Sequence, residues 1–406
     1  MTRKTRISPL RYLKYAFLLL LPLVPSQLQA IPAWARMTGA SCATCHAIPT
    51  LQLTATGLEF LRNGYRMEPT TFKPSTQNLG DYVSLTAEKQ FTVVSGANPS
   101  TKFEQPVVQL ASGGPLSDHF SFMVMYKFNS SSDPTQNLEA AILQYNLPIA
   151  KDTFLSIRGG QFTPQILRTF GLGAASYVTP PLVLTTNLPV GLPATATTGT
   201  FNLGNDKQGM DVQLNWKAFE IAAGIFNPTT VTAVNPTNRK DTYASVIWRF
   251  DDYASGIGSF RYDGQTKVFD TTDTTQAPQF LFSDDFYRNG LLFRFIRDKW
   301  RCMSTYFEGQ HQIDASGTKA KNRGYYGLIE FNPMERLGVF VRYDKLQPDT
   351  KDSTLDQKVL VAGCSGMLFH NDKSGARWVL EASKTDFNDN VTPPNKQVLL
   401  NIVVAY

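Results

Sequence analysis

Charge is scarce in this chain: Asp, Glu, Lys and Arg make up 18% of its 406 residues, against about a quarter in ordinary soluble domains. Histidine and cysteine are scarcer, four of each, so a zinc module with several nearby ligands has little to draw on. Beyond the first 30 residues there is no run of about 20 apolar side chains, which excludes a bundle of membrane helices. No Walker loop, dinucleotide fingerprint or nucleophile elbow stands in the context each needs, so those chemistries have no carrier.

What is present suits amphipathic strands: 12% aromatic residues with a slightly negative mean hydropathy. The first 30 residues read as an export signal. Arg3, Lys4, Arg6, Arg11 and Lys14 precede the apolar run from Ala16 to Val24, and a cleavage point follows Ala30, with a second after Ala35. A spanning anchor suits this stretch less, because the run is short and Pro22 and Pro25 interrupt it. Removing residues 1–30 takes away five basic and no acidic residues, so the formal charge falls from +6 to +1. The basic balance therefore belongs to the leader, and no nucleic-acid partner is expected.

Residues 81–406 predict an all-β domain, a transmembrane antiparallel β-barrel of about 16 strands in an outer membrane. In "YASVIWRF", Ala244, Val246, Trp248 and Phe250 share one face against Ser245 and Arg249. "LGVFVRYD" repeats the pattern, with Leu337, Val339, Val341 and Tyr343 opposite Gly338, Arg342 and Asp344. A period of two with aromatics near segment ends is what lipid on one side and a wet or plugged lumen on the other require. Connections alternate in length as outer-membrane barrels demand: 217–218, 251–253, 297–299 and 333–336 are tight, while 228–240, 264–285, 313–321 and 347–357 are long. The final stretch puts Val398, Leu400, Ile402, Val404 and Tyr406 on one side, resembling the terminal signal of outer-membrane barrels. Residues 163–208, apolar and almost uncharged, form an unusually long outer connection, read either as a segment folded over or into the mouth or as a disordered lid.

Residues 31–80 carry a different chemistry. In "CATCH", Cys42 and Cys45 have the spacing to form thioether bonds to the two vinyl groups of haem, and adjacent His46 can present its imidazole to the iron. A redox dithiol would need a βαβ context, which is missing. Zinc would need further ligands close by, whereas His119, His311 and His370 fall in or beside barrel segments. Cys302 and Cys364 lie in separate strand-like segments that are not neighbours and read as small apolar side chains. "TLQLTATGLEFLRNGYRMEP" predicts a short helix bearing Leu51, Ala55, Leu58 and Leu61, ended near Asn63 and Gly64. About 50 residues can be stabilised by haem but cannot also enclose it, so the barrel lumen is expected to supply the remaining wall. For the sixth iron ligand Met67 and Met37 are the local candidates, beside water or a lumen residue.

"AWARMTGASCATCHAIPTLQLTATGLEFLRNGY" resembles the start of the fused outer-membrane monohaem cytochrome-porins of iron-oxidising bacteria. The resemblance covers about 35 residues by motif; the remainder matches in architecture alone. It implies one covalent haem c held by Cys42 and Cys45 with His46 on the iron. It also implies an Fe(II) oxidoreductase that passes electrons from extracellular Fe(II) to a periplasmic cytochrome, with the N-terminus on the periplasmic side. A general electron conduit with another donor or acceptor, and a porin with a structural haem, are the alternatives. Asp270, Asp273, Asp284, Asp285, Asp349, Asp352, Asp356, Asp386 and Asp389 fall in expected outer loops, where carboxylates suit hard cations but also suit a solvated surface. Arg158, Arg249, Arg294 and Arg342 face the lumen, to line a channel or to hold a plug.

Overall fold

The computed structural model describes residues 32–47, 52–68, 82–96, 99–128, 137–167, 170, 178–189, 201–228, 239–250, 254–270, 279–370, 375–389 and 392–405. The expected leader and the turn 251–253 lie outside them. Sixteen antiparallel strands close into a barrel. They are β1 (Val83–Ser95), β2 (Ser100–Phe103 continued by Val107–Pro115), β3 (Phe120–Phe128), β4 (Leu138–Ala150), β5 (Thr153–Phe162), β6 (Lys207–Trp216), β7 (Phe219–Phe226) and β8 (Asp241–Phe250). Then follow β9 (Ser255–Asp270), β10 (Gln279–Arg297), β11 (Trp300–Gln312), β12 (Lys319–Met334), β13 (Leu337–Gln347), β14 (Gln357–His370), β15 (Gly375–Phe387) and β16 (Asn395–Ala405). Each strand pairs with its sequence neighbours, and β16 pairs with β1, with Leu400 opposite Phe91, to shut the ring. The two pieces of β2 both pair with β1; Pro106, which has no N–H for a ladder, sits in the gap between them.

Alternation decides which face is which. Along β12 every second residue from Ala320 to Glu330 is buried and the residues between are exposed. The outward set is apolar, with Val246, Trp248, Leu291, Ile329, Val341 and Leu360 all exposed. The inward set is polar, with Arg158, Asp211, Glu220, Arg249, Glu330, Arg342 and Asp344 all buried. An apolar outside around a polar inside is the inverse of a soluble fold and fits a wall set in lipid. Trp216 stacks with Phe219 at 5.8 Å and Trp300 tilts against Phe331 at 4.5 Å, both on the outward face beside the tight turns. Such rings form an interfacial girdle. Four of the turns at this end have two residues, three of them through left-handed residues, Asp152 (φ 57°), Lys217 (φ 49°) and Asp298 (φ 49°), as tight hairpins of right-twisted strands require.

At the opposite end the strands run past the membrane. β9 has 16 residues and β10 has 19, where about 10 suffice to cross. Most of the expected loop 264–285 is therefore wall, and the connection after β11 shortens to 313–318. Asp284 and Asp285 accordingly belong to β10 and not to a loop.

The bore is filled from both ends. The described parts of the connection between β5 and β6 fold inward: Ile166, Leu167, Phe170, Val183, Leu184, Phe201 and Leu203 are buried, and Leu188 bridges to Phe201. Wall side chains hold it. Glu381 accepts from the Val178 N–H at 2.9 Å, Asp344 from the Leu182 N–H at 3.2 Å, and the Arg342 guanidinium donates to the Thr179 carbonyl at 2.5 Å. From the tight-turn end the segment 32–68 enters. Its Phe60 and Tyr65 join the same hydrophobic cluster as Phe170, Leu184 and Phe201.

Candidate functional site

The N-terminal segment is built as α1 (Pro32–Thr38), α2 (Cys42–Cys45), a two-residue hairpin pairing His46–Ala47 with Gln52–Leu53, and α3 (Ala55–Arg62). Thr54 is its fastener. Its hydroxyl accepts from the Gly57 N–H at 3.2 Å, capping α3, and donates to the Thr44 carbonyl at 2.6 Å. Its backbone N–H donates to the Cys45 carbonyl at 3.0 Å. Helix and motif are thus tied through one residue. At Gly57 an added Cβ would lie 2.1 Å from the Cys45 carbonyl oxygen, so only glycine lets α3 press against the motif this closely. α3 ends as expected at Asn63 and Gly64, the latter at φ 75°.

The turn carries Cys42, buried, and Cys45, half-buried, three positions apart on α2, with His46 next. They border a cavity of about 420 Å³, counting its open side, with Trp34, Leu53, Phe60 and Leu61 among the walls. Trp34 stacks on Tyr65 at 5.1 Å, tilts over Phe60 at 5.2 Å, and donates its indole N–H to the Gly113 carbonyl at 3.0 Å. Burial, then the neighbouring Cys42, pushes the Cys45 thiol up to about 11. At neutral pH it is an uncharged thiol and a poor thiolate ligand. Two thiols and an imidazole on an open apolar hollow are the donor set that would hold a flat apolar macrocycle, through two S–C bonds and one imidazole nitrogen.

The lumen does not supply the wall the sequence led us to expect: every described residue lining the cavity lies between Trp34 and Leu61. The barrel anchors the segment instead. The Ala33 N–H donates to the Ser84 hydroxyl at 2.7 Å, Arg36 to the Val83 carbonyl at 2.6 Å, and Arg66 to the Phe120 carbonyl at 2.8 Å. Gln52 donates to Glu330 at 3.0 Å, Asn146 to the Asn63 carbonyl at 2.7 Å, and Arg294 to the Leu53 carbonyl. Partners on β1, β3, β4, β10 and β12 surround the segment near the tight-turn end. Of the lumen arginines, Arg294 thus holds the plug and Arg342 the inward loop; Arg158 pairs with Asp211 and Arg249 with Glu220.

Neither methionine lines the cavity. Met67 is 44% exposed, beyond the anchoring Arg66, and Met37 has its sulfur against Gly114 of β2. The structure brings Cys42, Cys45 and His46 to one cavity, and Met67 is not among the residues lining it. Cys302 and Cys364 are free and sit on β11 and β14, two strands removed from adjacency. His119, in the turn before β3, bonds the Asn146 carbonyl at 2.9 Å, and His311 on β11 faces Arg288 at 2.9 Å. The side chain of His370 and all of Asp273 lie outside the described residues. The acidic residues are engaged locally: Asp284 is buried and accepts from the Gln312 N–H at 2.7 Å, Asp352 caps Thr354, and Asp386 pairs with Lys384. Among the described residues no group of three His, Cys, Asp or Glu is placed to hold a metal ion. Sequence reasoning missed Gly57 and Gln52, whose roles depend on what lies across the fold.

No protein-family model matches the chain, and no curated protein matches it. Solved structures do. An anion-selective porin from Comamonas acidovorans is similar at a TM-score of 0.56 and 11% identity, covering 80% of this chain and 98% of that one. OmpT, an outer-membrane protein of Vibrio cholerae, is similar at 0.54 and 10%, covering 80% and 97%. At such identities the likeness is one of fold, a porin-type barrel.

Proposed function

We propose that the protein is an outer-membrane electron-transfer barrel carrying one haem c on Cys42, Cys45 and His46. In this reading it takes electrons from Fe(II) outside the cell and delivers them to a soluble periplasmic cytochrome. The observation that carries the reading is the CATCH turn set at an apolar cavity, in a segment anchored to the tight-turn end of the bore. When bound, haem c supplies a one-electron iron couple.

The chain's own residues do the rest. Cys42 and Cys45 would hold the group by both sulfurs from one helical turn, and His46 would offer it an imidazole nitrogen. Trp34, Leu53, Phe60 and Leu61 give that place apolar walls, which favour the less charged state of a redox centre. Gln52, Arg36 and Arg66 fix the segment where the tight turns lie, the periplasmic end of such a barrel. The outward apolar belt and its tryptophan girdle support a place in the outer membrane. A bore packed by two inserts favours passage of electrons over passage of solutes.

The test uses purified protein in liposomes. The mature polypeptide should carry the added mass of one haem after denaturation, and Fe(II) should reduce the oxidised haem absorbance. Haem that stays oxidised with Fe(II) yet responds to dithionite refutes iron oxidation, and equal reduction by unrelated donors identifies a general conduit. An open pore without redox turnover identifies a porin.

A further inference from the structure

One face of the outer wall carries a feature that electron transfer does not use. On the lipid-facing side of β10 to β13, Ser304 and Gly327 lie side by side in the ladder, with Phe293 beyond one and Tyr343 beyond the other. Two small residues between two rings leave a groove of about 810 Å³, counting its open side, which Leu291, Tyr306 and Tyr325 extend. An added Cβ at Gly327 meets nothing within 4 Å. One step nearer the long-loop end, a second hollow is lined by Tyr306, Tyr325, Arg323, Lys345 and Gln347. An apolar trough thus opens directly into a basic one.

Basic side chains outnumber acidic ones on this face. Lys345 stands directly opposite Lys358, and Lys384 opposite Lys396, and facing like charges destabilise a strand pair; Asp386, opposite Lys358 in the ladder, is paired with Lys384 at 2.7 Å. Lys358 and Lys396 have no ion-pair partner among the described residues, and Lys345 reaches Asp356 only at 3.9 Å. Arg323 donates to the Gln347 side-chain oxygen at 2.5 Å, and Glu308, opposite it in the ladder, makes no ion pair with it among the described residues. Arg323, Lys345, Lys358, Lys384 and Lys396 outnumber Glu308, Asp356 and Asp386; this positive excess favours an anion, and its place at the edge of an apolar belt favours one attached to acyl chains.

We propose that this face binds lipopolysaccharide of the outer leaflet, with one acyl chain in the Gly327 trough and a phosphate at Arg323, Lys345 and Lys358. It rests on the outer-membrane part of the proposed function and is independent of haem. The long-loop end faces the outer leaflet, whose phosphorylated lipid is this glycolipid. Each Lys or Arg near an anionic surface is worth about fivefold in affinity, so reversing three removes at least a hundredfold, to order of magnitude.

The experiment is native mass spectrometry of the full-length protein in detergent, titrated with Kdo2-lipid A, its dephosphorylated form, or phosphatidylglycerol. The expected result is lipid A adducts on the wild type, reduced about a hundredfold in Arg323→Glu/Lys345→Glu/Lys358→Glu. They should also fall in Gly327→Phe, which fills the trough and leaves the charges in place. Equal lipid A binding by the triple variant, or equal binding of the dephosphorylated form or of phosphatidylglycerol, overturns the proposal. Circular dichroism and insertion into liposomes separate the two readings: protein that does not insert overturns the barrel's membrane role as well, whereas inserted barrels without selective adducts overturn the lipid site alone.

Discussion

Gly57→Ala tests how the candidate haem site is held. The new methyl would stand 2.1 Å from the Cys45 carbonyl oxygen, where ordinary contact begins at 3.4 Å, so α3 or the motif must move by more than 1 Å. Helix propensity acts the other way: Ala in place of Gly inside a helix favours it by about 1 kcal/mol. Overpacking costs about 1–3 kcal/mol, and here the obstacle is backbone, which cannot rotate aside. The same carbonyl accepts from the Thr54 N–H, so displacement also strains the cap of α3. The net expectation is a local loss of about 1–2 kcal/mol, roughly a 5- to 30-fold change in an opening equilibrium. Hydrogen exchange in residues 55–62 should speed up by that factor, with amides of β12 unchanged as the internal control. Exchange that is unchanged, or slower as propensity alone would make it, refutes the packing argument.

Three further outcomes follow from the same geometry. Cys42→Ser/Cys45→Ser should leave a folded barrel without covalent haem after denaturation, and haem that survives denaturation on this variant would rule out attachment at these thiols. Arg342→Met should strand buried Asp344, at about 3–5 kcal/mol, and release the inward loop; proteolysis between residues 178 and 189 in the folded barrel should rise, and an unchanged digest would show that the pair does not hold it. In haem-free protein the Cys45 thiol, raised from 9.0 to about 11, has its neutral form favoured by folding. That contribution is fully present below about 9 and is lost as pH rises through about 11, so alkylation of Cys45 should be slow at pH 8 and accelerate near pH 11; fast modification at pH 8 would contradict its burial.

The strands were legible because lipid imposes a strict contrast between neighbours, as Val246, Trp248, Ser245 and Arg249 display on β8. Where the wall rises above the membrane that contrast fades. Residues 264–270 and 279–285 therefore read as a loop while β9 and β10 continue through them. The connection after β5 could be seen to be long and apolar, but not where it goes. Its inward path depends on Glu381, Asp344 and Arg342, which lie more than 150 positions away in the chain. The same limit hid the cavity's walls: Trp34, Phe60 and Leu61 close around the motif because α1 and α3 meet, a contact that local periodicity does not contain.

A hollow drawn wholly from residues between Trp34 and Leu61 has a consequence for chronology. No described residue of the barrel strands lines it, so on the proposed reading a prosthetic group would be attached to this segment's own side chains before the strands need to close around it. The finished cartridge then needs only to be gripped at its rim by Ser84, Asn146, Arg294 and Glu330 as the cylinder zips shut between its first and last staves.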